Sequence, residues 1–193
     1  VYEALGVSDG VLKVNTLGDP DSRPRFKEAL VAYLTPFRAE LSETSQARLD
    51  GNPLRILDTK NPRERELLAD APRLTDFLSD AARAHYDTVL GTLSDLGVAY
   101  TEDPLLVRGL DYYTHTAFEL VSDSLGAQSA LAGGGRYDYL ATEVGSKQPI
   151  PAIGFAAGME RLFMAMAAAG HELPVEAGPD VYLIGLGDAA QAW

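Results

Sequence analysis

Arg108-Gly109-Leu110-Asp111-Tyr112-Tyr113 puts an arginine, an aspartate and two tyrosines within six residues, beside a strand-like segment. A fixed guanidinium stabilises charge that develops on a phosphate during transfer. A phenol offers one donor and one acceptor on a flat apolar ring, which suits a small heteroaromatic ligand. Extended geometry would separate Arg108 from Asp111 and send the adjacent tyrosines to opposite faces. On these residues alone an edge loop with an ion pair and two half-buried tyrosines is the competing reading.

Two further segments carry possible chemistry. Gly133-Gly134-Gly135-Arg136-Tyr137-Asp138 places three glycines at the end of a strand, where they mark close approach of a ligand or of another backbone. A bulge or hairpin turn explains bare glycines equally well. The run lacks the Lys-Ser or Lys-Thr of a P-loop. In Gly154–Leu162, helical spacing brings Gly158, Arg161, Ala165 and Ala168 to one face, beside a stripe of Met159, Leu162, Phe163 and Met166. Small neighbours leave room for a flat base or a phosphate next to the Arg161 guanidinium, and an early helix turn favours anions. A solvated surface arginine is the alternative.

These residues need elements to hold them. Leu12–Leu17 reads as a strand closed by Gly18-Asp19-Pro20. Phe26, Leu30, Tyr33, Leu34, Phe37 and Leu41 recur at helical spacing, with Pro36 breaking the pattern. Thr44–Asp50 forms a second short helix, stopped by Gly51-Asn52-Pro53. Asn61-Pro62 makes a helix start, and a longer helix runs from about Asp80 to Leu96, with Tyr86, Val89, Leu90, Leu93 and Leu96 on one face. Val98–Val107, Thr116–Val121 and Ser129–Leu131 read as neighbouring antiparallel strands, and Gly154–Ala168 as a helix. The layout is α+β: a strand, a helical insertion, an antiparallel sheet and a helix.

Composition narrows the function classes. Apolar residues make up 46% and charged residues 23%, ordinary for a globular protein. No apolar run reaches the length of a membrane span, and the start lacks a signal peptide's basic end and apolar core. The absence of cysteine excludes disulfides and thiolate metal sites, and His85, His115 and His171 lie too far apart in sequence to suggest a histidine metal centre. This composition suits a cytoplasmic protein without a metal site. A net charge of −12 argues against broad nucleic-acid binding but leaves room for a local basic pocket that takes a nucleoside triphosphate. The start at Val1, and a close over Pro179–Trp193 that reads as a strand, a Gly turn and a helix barely begun, give the expectation that both ends are truncations.

Taken together, Leu106–Glu119 (LVRGLDYYTHTAFE), Ala132–Leu140 (AGGGRYDYL) and Pro151–Leu162 (PAIGFAAGMERL) resemble, in order and spelling, the landmarks of histidyl-tRNA synthetases. The first two are similar to that family's histidine-pocket signatures and the third to motif 3 of class II synthetases. Asn52–Asp58 (NPLRILD) resembles the family's helical insertion, so the likeness covers nearly the whole chain.

The resemblance implies an incomplete class II catalytic sheet with a helical insertion. Residues 1–19 would be a core strand, 20–84 the insertion, 85–170 the core with the pocket motifs and motif 3, and 179–193 the start of an anticodon-binding α/β domain. It implies an ATP-dependent ligase that forms histidyl-adenylate and passes histidine to tRNA(His), with Mg2+ accompanying ATP and a homodimer built through a missing N-terminal motif.

Arg108 matches the arginine that meets the α-phosphate and the amino-acid carboxylate. Arg161, with Gly158 beside it, matches the ATP-binding arginine of motif 3. Tyr113 and Tyr137, with Tyr112 adjacent, match the lining of the histidine pocket. Gly133, Gly134 and Gly135 match its floor, where a Cβ would collide with substrate.

Motifs 1 and 2 have no counterpart here, so this chain alone is expected not to form adenylate. Tyr139 stands where the family commonly has glycine, which leaves the local turn open. Two other readings compete. One is a histidine-sensing regulatory subunit of histidine biosynthesis, which would keep the histidine pocket and lose the ATP residues. The other is a protein-interaction module in Pro20–Ala84 supported by the sheet.

Overall fold

The computed structural model describes residues 2–109, 112–171, 178 and 184 of the chain. Asp111, and the strand and helix expected over 179–193 (Ile184 apart), lie outside the described residues. Five strands, β1 (Gly10–Thr16), β2 (Tyr100–Glu102), β3 (Thr114–Ser122), β4 (Ala130–Arg136) and β5 (Ile153–Ala157), form one sheet in the order β2-β1-β3-β4-β5. Helices and sheet together give the expected α+β layout.

Antiparallel pairing holds for β1–β3, β3–β4 and β4–β5 but not at β2, which lies parallel to β1 with Leu12 opposite Tyr100. A long helical connection between those strands returns the chain to the end where β1 began, and parallel pairing requires such a crossover. The strand expected over Val98–Val107 is also much shorter. It stops at Glu102 because Asp103-Pro104 turns the chain: the Leu105 amide donates to Asp103 Oδ1 at 3.0 Å and the Leu106 amide to the Asp103 carbonyl at 2.9 Å. Proline has no N–H to continue a ladder.

The crossover carries α1 (Ser22–Leu34), α2 (Glu43–Gly51), α3 (Pro62–Ala69) and α4 (Asp80–Asp95). As the proline predicts, α1 stops before Pro36 and the chain tightens into a 3-10 turn over Thr35–Glu40. The Asn61 side chain accepts from the Arg63 amide at 2.9 Å and caps α3 as expected. Phe26, Leu30, Leu34, Ile56 and Leu68 close a core belonging to this helical segment. Glu64 is buried at its edge, accepting from the Ser42 amide at 2.8 Å, the Ser45 hydroxyl at 2.9 Å and the Thr59 hydroxyl. Burial opposes ionisation, but these donors outweigh it and hold the carboxyl below its ordinary value.

Two helices differ from expectation. Of the face predicted for α4, Tyr86 is buried, but Leu96, which follows the last helical residue Asp95, is 72% exposed. The helix expected over Gly154–Ala168 begins only at α6 (Met159–Ala168), and its first residues instead form β5, with Ala132 opposite Ala157. Gly158, extended at φ −83 and ψ 114, separates the two. Consequently Leu162, Ala165 and Met166 turn inward against Val7 and Leu131, and Met159 and Phe163 stay exposed. The apolar stripe is rotated from the one the spacing suggested.

Candidate active site

Arg108 sits in the irregular connection between β2 and β3, and three tethers fix that connection. Asn15, at the end of β1, donates through Nδ2 to the Leu106 carbonyl at 2.9 Å and to the Pro104 carbonyl at 3.3 Å. Arg55, from the helical segment, donates to the Gly109 carbonyl. Arg108 Nη1 itself reaches Glu119 Oε1 on β3 at 3.0 Å, with both side chains about three-quarters buried. The guanidinium carbon lies 5.9 Å from the Tyr113 ring centroid, and the buried Nε has no acceptor among the described residues.

The glycines of β4 explain how the guanidinium reaches the sheet. A Cβ on Gly133 would sit 2.5 Å from Arg108 Nη1, and one on Gly135 would sit 2.9 Å from the Tyr113 ring. Gly133 marks the close approach of a side chain lying over the strand, whereas Gly135 is closed first by the Thr116 carbonyl of β3, which its Cβ would meet at 2.6 Å. Gly134 behaves differently. Its Cβ would strike the Gly154 carbonyl and come within 2.7 Å of the Phe155 Cα, so its smallness serves the β4–β5 contact. Gly154, not singled out by the sequence, leaves space for the Tyr137 hydroxyl, which a Cβ there would approach to 2.5 Å.

The two tyrosines predicted on opposite faces lie together, because the chain bends at Tyr112 before entering β3. Their ring centroids are 4.5 Å apart, and Tyr137 packs edge-on against both at 5.5 and 6.0 Å. Tyr139, the residue that left the turn open, immediately precedes α5 (Leu140–Glu143) and is 37% exposed beside Asp19 and Tyr112. It does not line the cleft that holds Arg108.

That cleft, about 700 Å³, runs between the sheet and the helical segment. Arg108 and Arg161 both line it. Arg161 Nη1 donates to the Ala130 carbonyl at 3.3 Å, and Gly158 lies against its stem, where a Cβ would come within 3.3 Å. Glu119 and the Lys13–Asp103 ion pair (2.9 Å) form more of the wall. Sequence reading gave no role to Asn15, Arg55 or Glu119. An asparagine between Val14 and Thr16, inside a strand-like run, was the available signal for the first.

Behind the tyrosines lies a second polar cluster. His115 adopts φ 50 where the β3–β4 register breaks between Thr114 and Ala117. Its ring meets that of His85, on α4, at 5.0 Å, and its Nε2 lies 3.7 Å from Asp138 Oδ2. Arg136 Nε donates to Asp138 Oδ2 at 2.9 Å. Burial pushes both imidazoles below their ordinary pKa, and for His115 it outweighs the pull of Asp138. Nearby Asp19 is also partly buried, but donation from Ser22 and Ser79 overrides that and brings its carboxyl to about 2.

The histidines set the sign of a pH effect. The unfolded chain takes up protons near pH 6.5 while the folded chain resists, so stability is full above that value and declines as pH falls through it. Urea midpoints should therefore drop between about pH 7 and pH 5.5. His115→Asn, a residue at home at positive φ, should flatten the slope. An unchanged slope in that variant would remove His115 as the source. Asp19 titrates too low to contribute in this window.

Among the described residues no helix is long and apolar enough to cross a membrane, and no group of three or more His, Asp or Glu is placed to hold a metal ion. The family model described as Histidyl-tRNA synthetase matches residues 38–162. A histidine–tRNA ligase of Chlorobium phaeobacteroides is 56% identical over 187 residues, and one of Crocosphaera subtropica is 47% identical over 191. They align with 95% and 99% of this chain, which spans 43% of each relative's length. The apo histidyl-tRNA synthetase of S. aureus superposes with a TM-score of 0.67 at 41% identity, covering 99% of this chain and 46% of that one.

The five-stranded sheet and its cleft thus have the fold of a class II aminoacyl-tRNA synthetase. Within that class, the chain belongs to the histidyl-tRNA synthetase family.

Proposed function

We propose that this chain forms the histidine- and ATP-binding part of a histidine–tRNA ligase. The observation that carries the reading is the opening of Arg108 and Arg161 into one cleft, with Gly133 and the tyrosine cluster against Arg108. The histidine carboxylate attacks the α-phosphate of ATP, forming histidyl-adenylate and releasing pyrophosphate. A hydroxyl at the 3′ end of tRNA(His) then takes the histidyl group, releasing AMP. Arg108 meets the carboxylate and the charge growing on phosphorus, and Arg161 meets the nucleotide. Tyr112, Tyr113 and Tyr137 face the imidazole side, and Mg2+ enters with ATP as part of the substrate.

Residues 20–84 serve as the insertion, 1–19 and 85–170 as the catalytic core, and 179–193 as the opening of an anticodon-binding domain. The working protein is a cytoplasmic homodimer. Curated relatives named histidine–tRNA ligase, and the presence of both Arg108 and Arg161 on the cleft wall, support an enzyme over a histidine-sensing subunit.

Histidine-dependent ATP–pyrophosphate exchange tests this directly. A protein carrying this chain at the length of its relatives is expected to exchange, and the 193 residues alone are expected not to. Histidine binding without ATP binding or exchange in the long form would overturn the ligase reading in favour of the sensor.

A further inference from the structure

The large cleft has two sides, and the reading above uses only the sheet side. The opposite wall comes from the helical segment and includes Lys60 and Arg65. Arg65 is exposed on α3 and has no ion-pair or hydrogen-bond partner for its guanidinium among the described residues. Lys60 has only Asp58, 3.6 Å away, and both side chains are mostly solvated.

The sheet-side cations are more committed. Lys13 is held by Asp103 at 2.9 Å and Arg108 by Glu119 at 3.0 Å. Even so, the ionised side chains lining the cleft sum to a positive charge, in a chain whose net charge is −12. A positive recess in an acidic surface concentrates anions. A triphosphate carries about four negative charges near neutral pH, more than two partly neutralised arginines can match.

We propose that Lys60 and Arg65 bind the phosphate chain of the nucleotide from the insertion side, so that sheet and helical segment grip it between them. This rests on the ATP reading of the cleft and adds to it a pair of residues outside the sheet. Their long stems let both cations follow the phosphates without disturbing the segment's core, which closes around Leu30 and Ile56. The Arg55 contact to the Gly109 carbonyl keeps that segment beside the loop that carries Arg108.

Calorimetry on the 193-residue chain with inorganic triphosphate, ATP and a short single-stranded oligonucleotide tests the proposal. Lys60→Gln with Arg65→Gln should weaken triphosphate and ATP binding by about tenfold or more, the loss of charged hydrogen bonds. Lys147→Gln, an exposed lysine outside the cleft, should change nothing. Far-UV circular dichroism checks that each variant keeps its helices.

If Arg108→Gln and Arg161→Gln weaken ATP while the insertion pair does not, the proposal fails and the ATP reading stands. If the chain binds neither triphosphate nor ATP, both fail. If only the oligonucleotide depends on Lys60 and Arg65, the wall serves a polynucleotide and the triphosphate proposal is overturned.

Discussion

Replacing Arg108 by glutamine is expected to slow histidyl-adenylate formation by about 10²–10³-fold in a protein of the relatives' full length, the usual cost of removing one preorganised donor from a developing charge. Two neighbours make this a sharp test. Gly133 exists in the form that lets Nη1 lie on the sheet, and Glu119 fixes its direction at 3.0 Å. Glutamine keeps some length and polarity but cannot offer two parallel donors or a charge. Glu119 is about one-quarter exposed, so water can solvate it after the loss and the fold should survive. Single-turnover kinetics should therefore show a fall in the chemical step larger than any rise in KM for histidine, at unchanged Tm. A variant with full kcat would place the reacting phosphate elsewhere.

Gly134→Val is expected to destabilise the chain by about 3 kcal/mol or more, on the order of 10 °C in Tm for a domain this size. A Cβ there meets the Gly154 carbonyl and approaches the Phe155 Cα, both backbone atoms of β5 held in register with β4. Neither can swing aside as a side chain would, so the two strands must part. Gly133→Ala is the informative comparison. Its clash is with the tip of Arg108, at 2.5 Å, and a flexible tip can move. That variant should fold normally and lose activity, whereas Gly134→Val should lose the fold. Equal thermal denaturation midpoints for the two would refute the division of roles between adjacent glycines.

Much of this was legible before any coordinates. Helical periodicity from Phe26 to Leu41 located the core of the helical segment, Pro36 its first break and Asn61 a cap, because each depends on local chemistry alone. The motifs pointed to Arg108 and Arg161, and the fold brings both to one cleft. Sequence misjudged what tertiary context decides. Alternation placed Tyr112 and Tyr113 apart, but a bend joins them. Helical spacing ran through Gly154–Ala157, where pairing with β4 makes a strand. The parallel partner of β1 was invisible because register between distant segments leaves no local trace. Glu119, inside a recognised motif, had no assigned role, since its partner is set by a strand-to-loop contact that spacing does not encode.

The position of β1 also dictates an order of events at the ribosome. This strand ends at Thr16, yet its two neighbours begin only at Tyr100 and Thr114. The fully buried residues of the helical core lie between Phe26 and Leu74, with Phe77, Leu78, Leu105 and Val107 packed against them. During synthesis that core can collapse while β1 waits, unpaired, for segments not yet made. Non-local pairing of this kind is slow, so the nascent sheet, rather than the helical segment, is where chaperones have most time to act. The buried core of the helical segment can therefore form before the sheet is complete.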